Sequence, residues 1–188
     1  MVSYRKESLE RYANDLAARL PAPGGGSASA LAASLGASLI GMVVNFTLGK
    51  PKYAKFEKEL RTILVKSEAL REKFLNLVDA DVQAYQSKNV KASLEVPLEV
   101  TRLCLEGMKL CPALIKKGNI NLISDVSCAA VFLESAFAGA RINVEINLRC
   151  LGDRNLTRML RKELTAKEKM IKRIRTETEG KVNDIIRG

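Results

Sequence analysis

Three sets of residues in this chain have the types and spacing to do chemistry. The first is Pro21-Ala22-Pro23-Gly24-Gly25-Gly26-Ser27. Three glycines ahead of an apolar run let the backbone turn sharply and approach a ligand closely. A helix start offers unpaired N–H groups and positive potential, which suit an anion or a carbonyl. The Gly-Lys-Ser/Thr ending of a phosphate loop is missing and no strand precedes the run, so it is neither a Walker loop nor a dinucleotide fingerprint. A plain interhelical turn with Ser27 as N-cap is the other reading. The second feature is Asp81. Phe74, Leu77, Asp81 and Tyr85 follow one another at helical intervals, which puts the carboxylate on a core-facing stripe. A charge there needs a partner or a cleft, and burial raises a carboxyl pKa toward general acid–base work. A buried structural acid is the alternative, and Asp79 falls on the polar side as a solvated residue.

The third set is Gly118-Asn119 followed by Ser124-Asp125. Asp125 continues at helical spacing through Ala129, Phe132, Leu133, Ala136 and Ala140 to Asn143 and Asn147. A column of small residues between an acid and two amides leaves room for a ligand or for a neighbouring helix. Asp125 fits equally a stabilising charge at a helix N-terminus, and the two asparagines fit interhelical hydrogen bonds.

These residues need a frame, and the composition favours helices. Trp is absent, aromatics are 5%, and Ala, Leu, Glu and Lys abound. Residues 3–19 read as an amphipathic helix with Leu9, Tyr12, Ala13, Leu16 and Leu20 on one face. An uncharged helix follows from about Ser27 to Leu48, broken by Gly49-Lys50-Pro51. A third spans about Tyr53 to Ser87, and a fourth about Val90 to Lys117 with kinks expected at Pro97 and Pro112. A fifth spans about Ile123 to Leu151, and a basic sixth about Asn155 to Ile186. No alternating pattern or hairpin signal appears. The expectation is one all-α domain over residues 1–188, an up-and-down bundle of about six helices. The second helix is apolar nearly all round, so enclosure by a second subunit, a homodimer, is expected. Ala28, Ala32, Gly36 and Gly41 permit close helix approach.

Charge and cysteines narrow the classes. The net charge is +10, and residues 149–188 hold 12 Lys+Arg against 6 Asp+Glu. These bases are spread around a helix, which argues against a nucleic-acid face. A basic helical module binding RNA or DNA is nonetheless the non-enzyme alternative. With no His and no CxxC pair a zinc site is not indicated. Cys104, Cys111, Cys128 and Cys150 read as buried free thiols of a cytoplasmic protein. No signal peptide is visible, and Ser27–Leu48 reads as a core helix, not a membrane span.

The ordered blocks resemble the formiminotetrahydrofolate cyclodeaminase and methenyltetrahydrofolate cyclohydrolase family over nearly the whole chain. The blocks are Pro-Ala-Pro-Gly-Gly-Gly-Ser, Leu48-Gly49-Lys50-Pro51-Lys52-Tyr53, Asp81-Val82-Gln83-Ala84-Tyr85, Val96-Pro97-Leu98, Gly118-Asn119 with Ser124-Asp125, and Asn143 to Leu148. The chain departs from the family pattern where only Gln86 to Glu95 separates the acid–aromatic block from Val-Pro-Leu, and where Pro51 replaces a frequent Lys. The resemblance implies an all-α dimer or higher oligomer in one-carbon metabolism and histidine degradation. It implies conversion of 5-formiminotetrahydrofolate to 5,10-methenyltetrahydrofolate and ammonia, with methenyltetrahydrofolate cyclohydrolase as the alternative. No metal and no cofactor beyond the tetrahydrofolate substrate is implied. On this reading Asp81 and Asp125 are the proton-transfer pair. Pro23, Gly24, Gly25, Gly26 and Ser27 hold the folate. Tyr85, Asn119, Asn143 and Asn147 contact it, and Lys50 and Lys52 meet an anionic, possibly polyglutamylated tail.

Overall fold

The uncharged run Gly25–Asn45 forms a helix around which the rest of the chain is arranged. The computed structural model describes residues 2–188, and no strand occurs among them. In chain order the helices are α1 (Leu9–Ala17), α2 (Gly25–Asn45), α3 (Glu57–Gln86), α4 (Val90–Met108), α5 (Cys111–Lys117), α6 (Ile123–Leu151) and α7 (Arg154–Arg187). Short 3-10 turns lie at Tyr4–Lys6, Pro51–Phe56 and Ile120–Leu122.

Most boundaries follow the breakers in the sequence, and three departures have local causes. The fourth helix divides at Lys109–Leu110, because Pro112 takes an early position of a new helix, where its missing N–H costs nothing. Pro97 stays inside α4 and is buried. The second helix begins at Gly25, so its N-cap is Gly24 and Ser27 lies inside it. None of Gly24, Gly25 and Gly26 has a positive φ, so these glycines supply space and not a special torsion.

α2 lies against α3 and α6, and α6 packs in turn on α4 and α7. α2 and α6 run antiparallel: Gly25 adjoins Asn143 near the end of α6, while Phe46 accepts a hydrogen bond from Asn119 just ahead of its start. Their crossing is close because a Cβ on Gly36 would fall 2.9 Å from Leu133 Cγ and 3.1 Å from the Ala129 carbonyl. α7 inserts Leu160, Leu164, Ile171, Ile174 and Val182 into the core, a stripe at helical spacing. Its charges pair with neighbouring helices through Arg161–Glu145, Arg175–Glu134, Arg141–Glu168 and Arg102–Glu163.

The outer face of α6 is uncharged from Ser124 to Ile146. Cys128, Val131, Phe132, Ser135, Ala138, Ile142 and Ile146 are all exposed along it. Leu35 on the adjoining α2 is 46% exposed. The second helix is therefore covered within this chain by α3 and α6 and left open on the remaining side.

The first helix corrects the pattern read from its sequence. Leu9 is 77% exposed and Leu16 and Leu20 are also exposed, whereas Tyr12 is buried. Tyr12 meets Tyr4 edge to face at 5.5 Å. Asp79 is buried too, because the N-terminal segment folds over it: Ser3 Oγ donates to Asp79 Oδ2 at 2.5 Å and the Arg5 N–H to Oδ1 at 3.3 Å. The thiols divide. Cys104 and Cys111 are buried and Cys128 and Cys150 exposed, so the expectation of four buried thiols fails at two. Burial pushes the Cys111 thiol up to about 12 and Cys104 higher still.

Candidate active site

Asp81 occupies the core-facing row of α3 one turn beyond the buried Phe74 and Val78, where that row meets the start of α2. The Ser27 N–H, an orphan donor of the first turn of α2, donates to Asp81 Oδ2 at 2.9 Å. Ser27 itself is fully buried: Oγ donates to the Val78 carbonyl at 3.1 Å and shares a 3.0 Å hydrogen bond with the Tyr12 hydroxyl. Tyr12 thus fixes the serine whose backbone fixes the carboxylate. The sequence pattern singled out Tyr12 only as an apolar position.

Burial holds the Asp81 carboxyl above the usual aspartate range, and the Ser27 N–H opposes this by favouring the charged form. Burial likewise raises Tyr12. Gly26 is required by the same contact. A Cβ there would overlap Asp81, falling 2.7 Å from Cγ and nearer still to Oδ1. The carboxylate therefore packs directly onto the glycine backbone.

Beside this contact lies a cavity of about 230 Å³, walled by the glycine bend, Asp81, Tyr85, Ser93, Asn143 and Asn147. Pro21, Ala22 and Ile146 complete it, and Asp81 is the one charged residue among its lining. Asn147 Nδ2 donates to the carbonyls of Ser93 at 2.7 Å and Asn143 at 2.9 Å, and Asn143 Nδ2 donates to Gly139 at 2.9 Å. Asn147 uses both amide N–H groups inside the fold and Asn143 one of its two, so the side-chain carbonyls are most of what the asparagines offer a ligand. A cation-free pocket of acceptors beside one carboxylate suits a partner rich in N–H donors or carrying positive charge.

The structure brings together Gly24, Gly25, Gly26, Asp81, Tyr85, Asn143 and Asn147. Pro23 and Ser27 lie behind the wall as buried supports. Pro21 and Ala22 belong to the block that opens the glycine bend, whereas Ser93 and Ile146 were not singled out by their sequence pattern; Ser93 enters because Asn147 captures its carbonyl from a different helix.

The remaining candidates lie at the opposite end of the subunit. Asp125 is in the first turn of α6, about 27 Å from Asn143 at 1.5 Å per residue. It therefore cannot pair with Asp81 in the same subunit. Asn119 is a clamp: its N–H donates to Thr47 Oγ1 at 2.8 Å, its Nδ2 to the Phe46 carbonyl, and its Oδ1 accepts from the Asn121 N–H. Lys50 and Lys52 sit at the 3-10 turn following α2, with Lys52 Nζ 5.6 Å from the Tyr53 ring centroid. In one subunit these lysines do not reach the cavity.

The sequence matches the Formiminotransferase-cyclodeaminase family over residues 8–88 and 86–166. The chain belongs to this family. It is 34% identical over 181 residues to the methenyltetrahydrofolate cyclohydrolase of Methylorubrum extorquens, covering 84% of this chain and 87% of that protein. It is 28% identical over 169 residues to the formimidoyltransferase-cyclodeaminase of Rattus norvegicus, covering 78% of this chain but 31% of that one. A crystal structure of formiminotetrahydrofolate cyclodeaminase from Thermotoga maritima superposes with a TM-score of 0.92 at 27% identity, covering 97% of this chain and 99% of that one. The chain is thus an all-helical enzyme of the folate cyclodeaminase and cyclohydrolase family. The family match spans the glycine bend, Asp81 and the α6 asparagines together.

Proposed function

We propose that this chain closes the one-carbon bridge of 5-formiminotetrahydrofolate to give 5,10-methenyltetrahydrofolate and ammonia. Asp81 carries this reading: it is the single charged group lining the cavity, and it is held at the glycine bend by the Ser27 N–H. The protonated formimino group is an amidinium, which suits a pocket offering a carboxylate and amide carbonyls. N10 attacks the formimino carbon, and the Asp81 carboxylate takes the N10 proton. The same carboxyl then returns that proton to the amine, which leaves as ammonia as the methenyl cation forms. A carboxyl held above its ordinary range accepts and releases a proton near neutrality with less penalty in either direction.

The likeness to a cyclohydrolase favours a second reading that uses the same atoms. Water attacks the methenyl carbon and Asp81 takes one of its protons. Asp81 returns that proton to N5 as the C–N5 bond breaks, and the remaining carbinol O–H proton passes to solvent as the formyl C=O forms. Methenyltetrahydrofolate absorbance separates the two. It rises with formimino substrate if the chain is a cyclodeaminase and falls from supplied methenyl compound if it is a cyclohydrolase. Neither change would remove the folate reading. Because Asp81 starts ionised, kcat/KM is expected to fall on the acid side through a pKa above the ordinary aspartate range.

The homodimer is part of this proposal. Ile146 belongs both to the cavity wall and to the uncharged face of α6, so the cavity opens at that face. A two-fold axis crossing α6 at the midpoint of the Cys128–Ile146 stripe sets residue 125 of one copy opposite residue 149 of the other. That brings Asp125 of a second copy to the turn carrying Asn147, where it would assist Asp81 in the proton transfer, a part that distance denies it within one subunit. Asp81→Asn and Asp125→Asn homodimers should then both be impaired. Refolding them together should restore about a quarter of wild-type activity, since half of the dimers are mixed and each holds one intact site. Activity no greater than the sum of the separate variants would remove Asp125 from the site.

A further inference from the structure

Helix α7 begins against an electrostatic rule that α1, α3 and α6 keep. Aligned peptide dipoles give a helix N-terminus positive potential, which favours acids there and opposes bases. α1 has Glu10 in its first turn, α3 has Glu57 and Glu59, and α6 has Asp125. The first turn of α7 has no acid and starts on Arg154. Arg158 and Arg161 follow at intervals of four and three, so all three guanidinium groups leave one face of the helix. Like charges at that spacing destabilise a helix. The bases of α7 as a whole are spread round its axis, but those of these first two turns are not.

The three arginines, with Arg149 from the last turn of α6, line an open cavity of about 510 Å³ at the α6–α7 joint. Leu148, Gly152 and Thr157 complete the lining, and none of its residues is acidic. The fold neutralises little of this charge. Arg161 pairs with Glu145 at 2.8 Å. Arg158 Nη2 donates to the Asn155 side-chain carbonyl at 3.4 Å. Among the described residues Arg149, Arg154 and Arg158 take part in no ion pair. Asp153 serves as the N-cap, its Oδ1 accepting from the Asn155 and Leu156 N–H groups. Sequences break local rules of this kind at functional sites.

We propose that this cavity binds a compact polyphosphate, either as the free ion or as the phosphoryl chain of a nucleotide. A guanidinium presents its N–H groups in a planar fork that matches two phosphoryl oxygens. A phosphoryl chain carries negative charge on every successive phosphorus, which suits several forks converging on one hollow. The volume lies within the range of small-molecule sites. The row of bases is short: Arg154 to Arg161 covers about 10 Å of axis at 1.5 Å per residue. The next positions on the row are Thr165 and Glu168, and Glu168 is paired with Arg141. That length holds a few phosphoryl groups and is too short for a nucleic-acid backbone to track. The cavity shares no lining residue with the one beside Asp81, and its three α7 arginines lie outside the uncharged face of α6. The site therefore depends neither on the folate reading nor on the homodimer.

Calorimetric titration and thermal melting of the intact chain, at fixed ionic strength and without magnesium, test this. Inorganic tripolyphosphate is the probe, with ATP, citrate and a single-stranded oligonucleotide for comparison. Tripolyphosphate is expected to bind at least about tenfold more tightly than citrate. At a hundred times its Kd it should raise Tm by about 5 °C or more. Arg154→Gln and Arg158→Gln should each weaken it about tenfold. Without ligand, the double variant should melt about 2 °C above the wild type at low ionic strength, because two cations have left the positive end of α7. A variant merely damaged in its fold melts lower. Lys169→Gln combined with Lys181→Gln removes the same charge from the same helix and should leave binding within about twofold. ATP binding more tightly than tripolyphosphate assigns the site to a nucleotide, and equal binding assigns it to the bare phosphoryl chain; either upholds the proposal. It is overturned by citrate binding as tightly as tripolyphosphate, or by an equal loss in the lysine variant. It is equally overturned by a ligand-free arginine double variant that melts below the wild type, or by an oligonucleotide held more tightly than tripolyphosphate through the same arginines.

Discussion

Asp81→Asn is expected to lower kcat with the productive folate by about a hundredfold or more, while the protein melts at a higher temperature than the wild type at pH 7. The loss follows because the amide can still accept the Ser27 N–H and keep its place, but it cannot take a proton from N10 or from water. The gain in stability follows from the direction of the Asp81 shift. A carboxyl whose pKa is raised by folding favours the protonated form, so its contribution is present below the unfolded value and is lost as pH rises through the folded value. At pH 7 the ionised, half-buried group therefore opposes folding, and the neutral amide removes that opposition. The difference in melting temperature should narrow as pH falls through the carboxylate range. Paired melting curves at pH 7 and pH 4, alongside steady-state rates, check both halves. A variant with near-wild-type kcat ends the proton-transfer role. A variant less stable at pH 7, by an amount that does not vary with pH, means that Asp81 is there to hold the helices together.

The pairing of lost activity with gained stability distinguishes this acid from its neighbour two residues earlier. Asp79 is also buried, yet it accepts from Ser3 Oγ and from the Arg5 N–H, and its carboxylate ties down the N-terminal segment. Asp81 accepts one N–H and keeps a cavity beside it. One α3 segment thus carries a carboxylate tied to the N-terminal segment by two donors and another that takes one donor and faces a cavity, the arrangement on which the proposed role of Asp81 rests.

Periodicity located Asp81 because a helical row with period 3.6 is a local property: once Phe74 and Val78 face the core, Asp81 must follow. The same logic placed Asn143 and Asn147 on one face of α6. It also put in that row Asp125, which within one subunit lies about 27 Å away along the helix axis, a distance that face-counting ignores. It failed at Asp79, whose partners come from 76 and 74 residues away. It failed at Leu9, which is 77% exposed although Tyr12 in the same nine-residue helix is buried. Ser93 and Ile146 carried no signal, since they enter the wall only through the packing of α4 against α6. The bundle itself was legible because Gly, Pro and uncharged runs mark helix ends and core helices directly in the sequence.

The glycine bend is where the sequence invites a wrong physical reason, and two substitutions expose it. If the glycines served a turn with unusual torsions, Gly25→Ala and Gly26→Ala would be similarly harmful. Neither residue has a positive φ, and both lie in the first turn of α2, where alanine is a good helix former. Space is what differs between them. A Cβ on Gly25 would stand 3.4 Å from Asn143 Nδ2, an ordinary contact, whereas one on Gly26 would overlap the Asp81 carboxyl. Gly26→Ala must therefore push Asp81 off the Ser27 N–H or lift the start of α2 from α3. Either movement misplaces the reacting carboxyl by about an ångström, a displacement that costs on the order of a hundredfold in rate. Gly25→Ala is expected to stay within about threefold of wild type in kcat, roughly 0.7 kcal/mol of barrier. Removing the clash should also rescue the fold of the damaged variant. Gly26→Ala is expected to lose about 1–3 kcal/mol of stability through overpacking, and adding Asp81→Ala should recover most of that loss without recovering activity. Denaturant titration of the two single variants and the double variant measures the coupling. Additive losses would mean that the methyl group and the carboxyl never meet, and that Gly26 is required for some other reason than to seat Asp81.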